Sequence, residues 1–230
     1  MIAHGINTTI VELDPLIHTY ATKYFDLPNN HTPVLQDAVG WVRDAAQQTQ
    51  KYDYIIHDVF TGGAEPLPLF TTSFLQNLAS LLTDDGVIAL NYAGDLGLPS
   101  TKMVLNTIQT AFNRQCRMFR DQEPLDKEDD NPGADFLNMV IFCTKTKGLA
   151  VDFRKPVTAD FLDSQSRKYY LLPRPELELK LPSREDMQAE KVQLLTVKNM
   201  KKFEKAQVES AKRHWTIMRQ VLPAHVWENW

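Results

Sequence analysis

Apolar runs of strand length alternate with amphipathic stretches of helix length from residue 8 to residue 144. The first run, within residues 8–13, carries Ile10, Val11 and Leu13, short and apolar as a strand buried on both faces requires. Pro15 suits a first helical turn, and residues 15–25 continue with helical character. Residues 32–36 read as a second strand ending at Asp37, and residues 38–50 as a helix with Val39, Val42 and Ala46 on one face. Tyr52-Asp53-Tyr54-Ile55-Ile56-His57-Asp58 is a third strand that again ends in a carboxylate. Residues 59–69, with Gly62, Gly63, Pro66 and Pro68, form a loop. A helix over residues 71–82 turns Phe74, Leu75, Leu78, Leu81 and Leu82 inward, and Asp84-Asp85-Gly86 ends it. A strand at 87–92, a glycine-containing loop at 93–98 and a helix at 100–112 follow, the helix burying Val104, Leu105, Ile108 and Phe112. Strands at 115–119 and 135–144 flank a charged loop, run antiparallel and make an edge hairpin.

Alternating strands and helices with apolar strands predict an α/β fold, a parallel sheet with helices on both faces. Met1-Ile2-Ala3-His4-Gly5 reads as the end of a helix whose beginning the chain lacks, with Gly5 as a left-handed cap. After residue 150 the pattern changes. Residues 151–178 hold three prolines and scattered aromatics, and Pro182-Ser183-Arg184-Glu185 is a helix start with Ser183 as cap. Val192, Leu195, Met200, Phe203 and Ala206 keep a loose helical stripe, and Val208, Ala211, Trp215, Met218 and Leu222 a tighter one. The expected organisation is an α/β domain over 1–150 and a mainly helical appendage over 151–230.

Composition narrows this picture. The 230 residues are 43% hydrophobic with a net charge of −4, ordinary globular composition without the positive field that nucleic acid attracts. No apolar run reaches the ~20 residues of a membrane span, and the start lacks a signal-peptide layout, so the chain reads as cytoplasmic. Cys116 and Cys143 have neither metal-ligand spacing nor a disulfide framework, and are expected as free core thiols in a reducing compartment. No metal site is expected. Lys198, Lys201, Lys202 and Lys205 alternate with Glu204 and Glu209 as a solvated face, and Trp215, Trp227 and Trp230 read as packing residues.

Ligands of doubly wound sheets sit outside the carboxyl ends of the strands. Three of those ends carry acids here: Glu12, Asp37 and Asp58. Glu12 suits ribose hydroxyls, and Asp37, opening a helix with Ala38, suits an adenine amino group. Asp58 faces the Gly62-Gly63 loop at a substrate mouth. A competing reading has Glu12 and Asp14 only capping the next helix, because carboxylates are common at helix starts. His57 is read as a packed strand histidine ahead of an added base.

These residues carry a resemblance. Val11-Glu12-Leu13-Asp14-Pro15, Leu35-Gln36-Asp37-Ala38, the strand ending His57-Asp58 and Leu81-Leu82-Thr83-Asp84-Asp85-Gly86-Val87 resemble the spermidine synthase-like branch of S-adenosylmethionine-type Rossmann transferases. Asp160-Phe161-Leu162 and Arg167-Lys168-Tyr169-Tyr170-Leu171-Leu172-Pro173-Arg174-Pro175 look like the tail of fungal members. The resemblance implies that Glu12 binds the ribose of S-adenosylmethionine or its decarboxylated form. It implies that Asp37 and Ala38 bind the adenine, and that Asp58 is the catalytic carboxylate taking a proton from an attacking amine. It also implies a small-molecule amine substrate and the possibility of a homodimer, and some members carry membrane helices elsewhere in the chain.

Two departures qualify the resemblance. The family's opening strand and glycine-rich loop have no counterpart after residue 1, so the sheet is expected to lack its central strand and the chain to be a fragment, a shortened isoform or a mis-started gene model. Where aminopropyltransferases read Asp-Ser-Ser-Asp, this chain reads Asp58-Val59-Phe60-Thr61, replacing the second polyamine-gripping acid by Thr61. The leading expectation is a spermidine synthase-like transferase with an amine acceptor, methyl or aminopropyl transfer left open. The alternative is a degenerate, non-catalytic Rossmann-fold protein without cofactor binding; a dehydrogenase ranks last.

Overall fold

The computed structural model describes residues 1–59, 66–121, 123, 136–205, 208–209, 211–212, 215 and 225. The chain forms two compact units, residues 1–49 with 152–173 and residues 50–151 with 174–230. The segment after residue 150 thus contributes to both units.

In the first unit, a 3-10 turn at Ile2–His4 ends on Gly5, whose φ of 72° is the left-handed cap the sequence predicts. Strands β1 (Thr9–Glu12) and β2 (Thr32–Leu35) pair in parallel with Glu12 opposite Leu35. Helices α1 (Pro15–Tyr24) and α2 (Ala38–Ala45) each follow a strand. Asp14 caps α1 by accepting from the Leu16 N–H at 2.8 Å, and Asp37 caps α2 by accepting from Val39 N–H at 3.2 Å. Val42 and Ala45 of α2 are buried, whereas α1 has no buried residue and leaves Leu16, Ile17 and Tyr24 exposed. The segment 152–173 holds helix α5 (Gln165–Tyr170) and a two-pronged ion pair, Arg154 Nη1 and Nη2 to the Asp160 carboxylate at 2.7 and 2.6 Å.

The second unit carries the main core. Its sheet runs in the order β3-β4-β6-β5-β7, from β3 (Tyr52–His57), β4 (Leu82–Asp95), β5 (Cys116–Arg120), β6 (Phe136–Thr144) and β7 (Glu178–Leu179). The β3–β4 pair is parallel; β6 is antiparallel to both β4 and β5. Among the described residues β1 pairs with β2 alone and β3 with β4 alone, in two separate sheets.

Helices α3 (Thr72–Leu81) and α4 (Pro99–Ala111) pack together on this unit's sheet. Phe74, Leu75, Leu78 and Leu81 of α3 and Val104, Leu105 and Ile108 of α4 are buried, as the apolar spacing predicts. Along β4 one face is fully buried at Ile88, Leu90 and Tyr92, while Val87, Ala89 and Asn91 are half-buried. Tyr54 and Ile56 of β3 are 55% and 58% exposed, so within this unit that strand is packed on one face, not two.

Four expectations are corrected. Leu82 leaves α3 directly into β4, so Asp84-Asp85-Gly86 lies in an extended strand, and β4 continues to Asp95 through part of the expected loop. The closing strands are not an edge hairpin: β6 lies inside the sheet and β7 adds to the outer side of β5. Residues 192–199 are not a helical stripe. Leu195 is fully buried because its N–H donates to Thr107 Oγ1 and its carbonyl accepts from the N–H and hydroxyl of Thr72, each at 2.8 Å.

The fourth correction concerns the cysteines. Cys116 and Cys143 are joined, with Cα atoms 4.1 Å apart. They stand directly opposite each other on β5 and β6, and cross-strand partners of this kind bring their Cβ atoms within bonding range. Spacing alone hides this, since the juxtaposition comes from a strand register across 27 positions. Of the stripe beyond residue 205 only Val208, Ala211 and Trp215 are described; Val208 and Trp215 are 53% and 47% exposed. Trp227, Trp230, Gly62 and Gly63 lie outside the described residues. Among the described residues no helix is long and apolar enough to cross a membrane.

Candidate functional site

Three strand ends carry the acids that the sequence singles out, two in the first unit and one in the second. In the first unit, parallel pairing in register sets Glu12 at the carboxyl end of β1 beside Leu35, the last residue of β2. Asp37 follows two residues later. Glu12 and Asp37 therefore share one end of one sheet, with Ala38 half-buried as the first residue of α2. Glu12 Oε1 accepts from the Asp14 N–H at 2.9 Å, and Asp37 Oδ1 accepts from Val39 N–H. Each carboxylate keeps a second oxygen without a partner among the described residues. Asp14 and Asp37 thus fill the capping role, Glu12 supports the Asp14 cap, and the second oxygens of Glu12 and Asp37 stay open.

In the second unit Asp58 follows the last residue of β3 and is exposed. Register places Leu90 opposite His57, hence Asn91 opposite Asp58. The Asn91 amide donates to Asp58 Oδ1 at 2.9 Å, fixing the carboxylate's orientation. Sequence reading passed over Asn91. The signal was present: a polar residue inside the apolar run 87–92, one step beyond the position that pairs with the end of the preceding strand.

His57 is 5% exposed. Its Nε2 contacts the Leu69 carbonyl at 3.2 Å, and its ring stands edge-on to Phe70 and Phe74 at 4.8 and 6.0 Å. A carbonyl accepts only, so Nε2 carries the proton. Burial pushes its pKa down, ahead of smaller upward effects from backbone hydrogen bonds and Asp58, and holds the ring neutral. This is the packed strand histidine that the sequence predicts. Tyr92 is buried and meets Phe70 edge-on at 5.5 Å, completing an aromatic wall beneath the β3 end. Phe60 and Thr61 lie outside the described residues, and among those described no group of three His, Cys, Asp or Glu is arranged to hold a metal ion.

Acids at the carboxyl ends of parallel strands, each followed by a helix, are the layout of a nucleotide-binding sheet. Comparison with known proteins decides between the families that share it. The spermine/spermidine synthase domain model matches residues 5–119, half of the chain. The chain belongs to that family. Its spermine/spermidine synthase domain includes β1 through β4 and all three strand-end acids named above.

Across 236 aligned positions the chain is 48% identical to the N-terminal histidine N-methyltransferase of Emericella nidulans; the match covers all of this chain and 41% of that protein. Over 84 residues it is 36% identical to the polyamine aminopropyltransferase of Vibrio vulnificus, covering 36% of this chain and 28% of that one. The chain therefore spans less than half the length of the curated relatives it matches. Among solved structures, a probable spermidine synthase from Corynebacterium glutamicum is similar with a TM-score of 0.55 at 21% identity, covering 83% of this chain and 63% of that one. That likeness shows the fold: the class I methyltransferase and spermidine synthase sheet, here with β1–β2 and β3–β7 in separate sheets.

Proposed function

We propose that this chain is the transferase domain of a nitrogen methyltransferase that uses S-adenosylmethionine. The observation that carries the reading is the 48% identity to an N-terminal histidine N-methyltransferase along the whole of this chain. The strand-end chemistry agrees with it. Glu12 and Asp37 each offer an unpartnered oxygen at one sheet end, and carboxylate oxygens accept from ribose hydroxyls and from an adenine amino group. In this reading Glu12 holds the ribose, and Asp37 with the backbone of Ala38 holds the adenine.

The bound sulfonium supplies an activated methyl group. Asp58 attracts and orients the nitrogen nucleophile and accepts the proton that the nitrogen loses as its new bond to carbon forms. Asn91 holds Oδ1 by its amide, which leaves Oδ2 to face the substrate. His57, neutral and packed, takes no proton in this scheme. A second reading, aminopropyl transfer from decarboxylated S-adenosylmethionine to a polyamine, is favoured by the match to the Vibrio vulnificus enzyme. Thr61 weighs against it, because a second acid is missing next to Asp58. The reading includes an oxidising compartment in place of the cytosol, and its support is the Cys116–Cys143 bond.

The experiment is a transfer assay on the folded chain. Methyl-labelled S-adenosylmethionine is offered with a peptide beginning in histidine, the same peptide beginning in alanine, and putrescine. Label in the first peptide alone is expected, and Asp58→Asn should lower kcat by about 100- to 10,000-fold, the usual worth of a positioned proton acceptor. A folded chain that labels none of the acceptors overturns the reading. Turnover only of decarboxylated donor with putrescine installs the second one.

A further inference from the structure

A second site lies at the other end of the second unit's sheet. Strand β5 runs in the direction of β3, since both β4 and β5 are antiparallel to β6 and β3 is parallel to β4. Asp58 follows the carboxyl end of β3, whereas Cys116 opens β5 at the opposite end. There a cavity of about 700 Å³ is lined by Gln109, Arg114, Cys116, Lys147 and 181–185, within the range of small-molecule pockets. A neighbouring cleft of about 480 Å³ shares Arg114 and Arg184 and adds Lys191.

The side chains around this cavity are built for an anion. Arg114 sits at the end of α4 with a positive φ of 59°, a conformation that a non-glycine residue holds only when its surroundings fix it. Its guanidinium is clamped: Nη1 donates to Gln109 Oε1 and the Pro182 carbonyl at 3.0 and 3.2 Å, Nη2 to Asn106 Oδ1 at 2.9 Å. None of these partners carries a charge. Arg114 Nε is buried without an acceptor, and so is Nε2 of Gln109, a residue 4% exposed. Buried donors without partners are uncommon, and each calls for a physical account such as an ion or water held there. Burial lowers the Arg114 pKa first, and the like charge of Arg184 lowers it further, against an opposing effect of Glu185. Three cations, Arg114, Lys147 and Arg184, thus border a cavity with one carboxylate, Glu185.

We propose that this cavity binds the phosphate group of a small molecule. A fixed guanidinium with a free Nε–H, a buried amide N–H and two further cations match a dianion with several acceptor oxygens, which a monoanionic carboxylate fills less well. The site lies at the other end of the sheet from Asp58 and stands whether or not the transferase reading does.

Calorimetric titration of the full chain at constant ionic strength tests it, with inorganic phosphate, adenosine monophosphate and acetate as probes. Saturable phosphate binding at millimolar concentration or below is expected, with acetate much weaker. Arg184→Gln, an exposed position, should weaken phosphate at least about tenfold, and Glu185→Gln should tighten it, each with an unchanged melting profile. A nucleotide that binds tighter than phosphate identifies the rest of the ligand as a nucleoside; equal affinity identifies phosphate itself as the recognised unit. Absence of saturable phosphate binding, or an Arg184→Gln affinity equal to that of the parent, overturns the proposal.

Discussion

Removing the disulfide tests how the second unit is held together. Cys116 and Cys143 are 27 positions apart, and closing a loop of that length lowers the entropy of the unfolded chain by an amount worth about 3.6 kcal/mol near room temperature. Replacing both residues by serine opens the loop but leaves the ladder. Five registered pairs join β5 to β6, and β6 is also bonded along β4, so the native sheet forms without the bond. Cys143 is fully buried, and its serine hydroxyl adds a polar-burial penalty; alanine at that position avoids it.

The variant Cys116→Ser with Cys143→Ala should therefore fold and lose about 3–4 kcal/mol, or roughly 7–14 °C in the melting transition of that unit. Thermal melts of oxidised parent, reductant-treated parent and double variant supply the measurement. If chain entropy is the mechanism, reduced parent and variant melt together, well below the oxidised parent. Two free thiols in the unreduced, unfolded protein, or a melt indifferent to reductant, would refute the reasoning.

Two further outcomes follow from individual contacts. Thr107→Val keeps the shape of a fully buried side chain but leaves the Leu195 N–H without its acceptor, so about 1–3 kcal/mol of stability should vanish in denaturant titration, and Thr107→Ser should retain most of it. The Asp160 carboxyl is held down to about 2, first by the hydrogen bonds from Arg154 and then by the Val157 N–H. Its stabilising effect is then present above the unfolded value of about 3.9 and lost as pH falls through the folded one, so Arg154→Gln should lower stability at neutral pH, flatten its fall across that acid window and meet the parent near the folded value, as followed by melts from neutral pH down to that limit.

Elements within one strand-helix repeat were legible because apolar spacing reports local burial. The α3 and α4 stripes went to the core at Phe74, Leu75, Leu78, Val104, Leu105 and Ile108. The strand-end acids were legible for a related reason: a carboxylate after an apolar run marks a strand's exit whatever the rest of the chain does. What escaped is non-local. The Cys116–Cys143 bond and the Asn91–Asp58 contact depend on which strands become neighbours and in which register. Leu195 lies in irregular backbone and is buried through bonds to Thr72 and Thr107, more than 80 positions away, and no periodicity reports that. The apolar positions of α1 were legible as a face, but within its own unit Leu16 and Ile17 remain more than half exposed.

A carboxylate at a strand exit can hold a backbone or amide N–H and still keep an oxygen for a ligand. A backbone N–H occupies one oxygen of Glu12 and one of Asp37, and an amide N–H occupies one of Asp58. A carboxylate tied at one oxygen has lost most of its rotamer freedom before any ligand arrives, so a hydroxyl or amine that meets the other oxygen orders little more. Under the proposed function the Asp37 cap is also part of the binding apparatus. Asp37→Ser, which caps a helix about as well as aspartate, separates the two roles: the melt of the first unit should stay in place while any affinity for an adenosyl ligand falls. Loss of both together would mean that the acid is there for α2 alone.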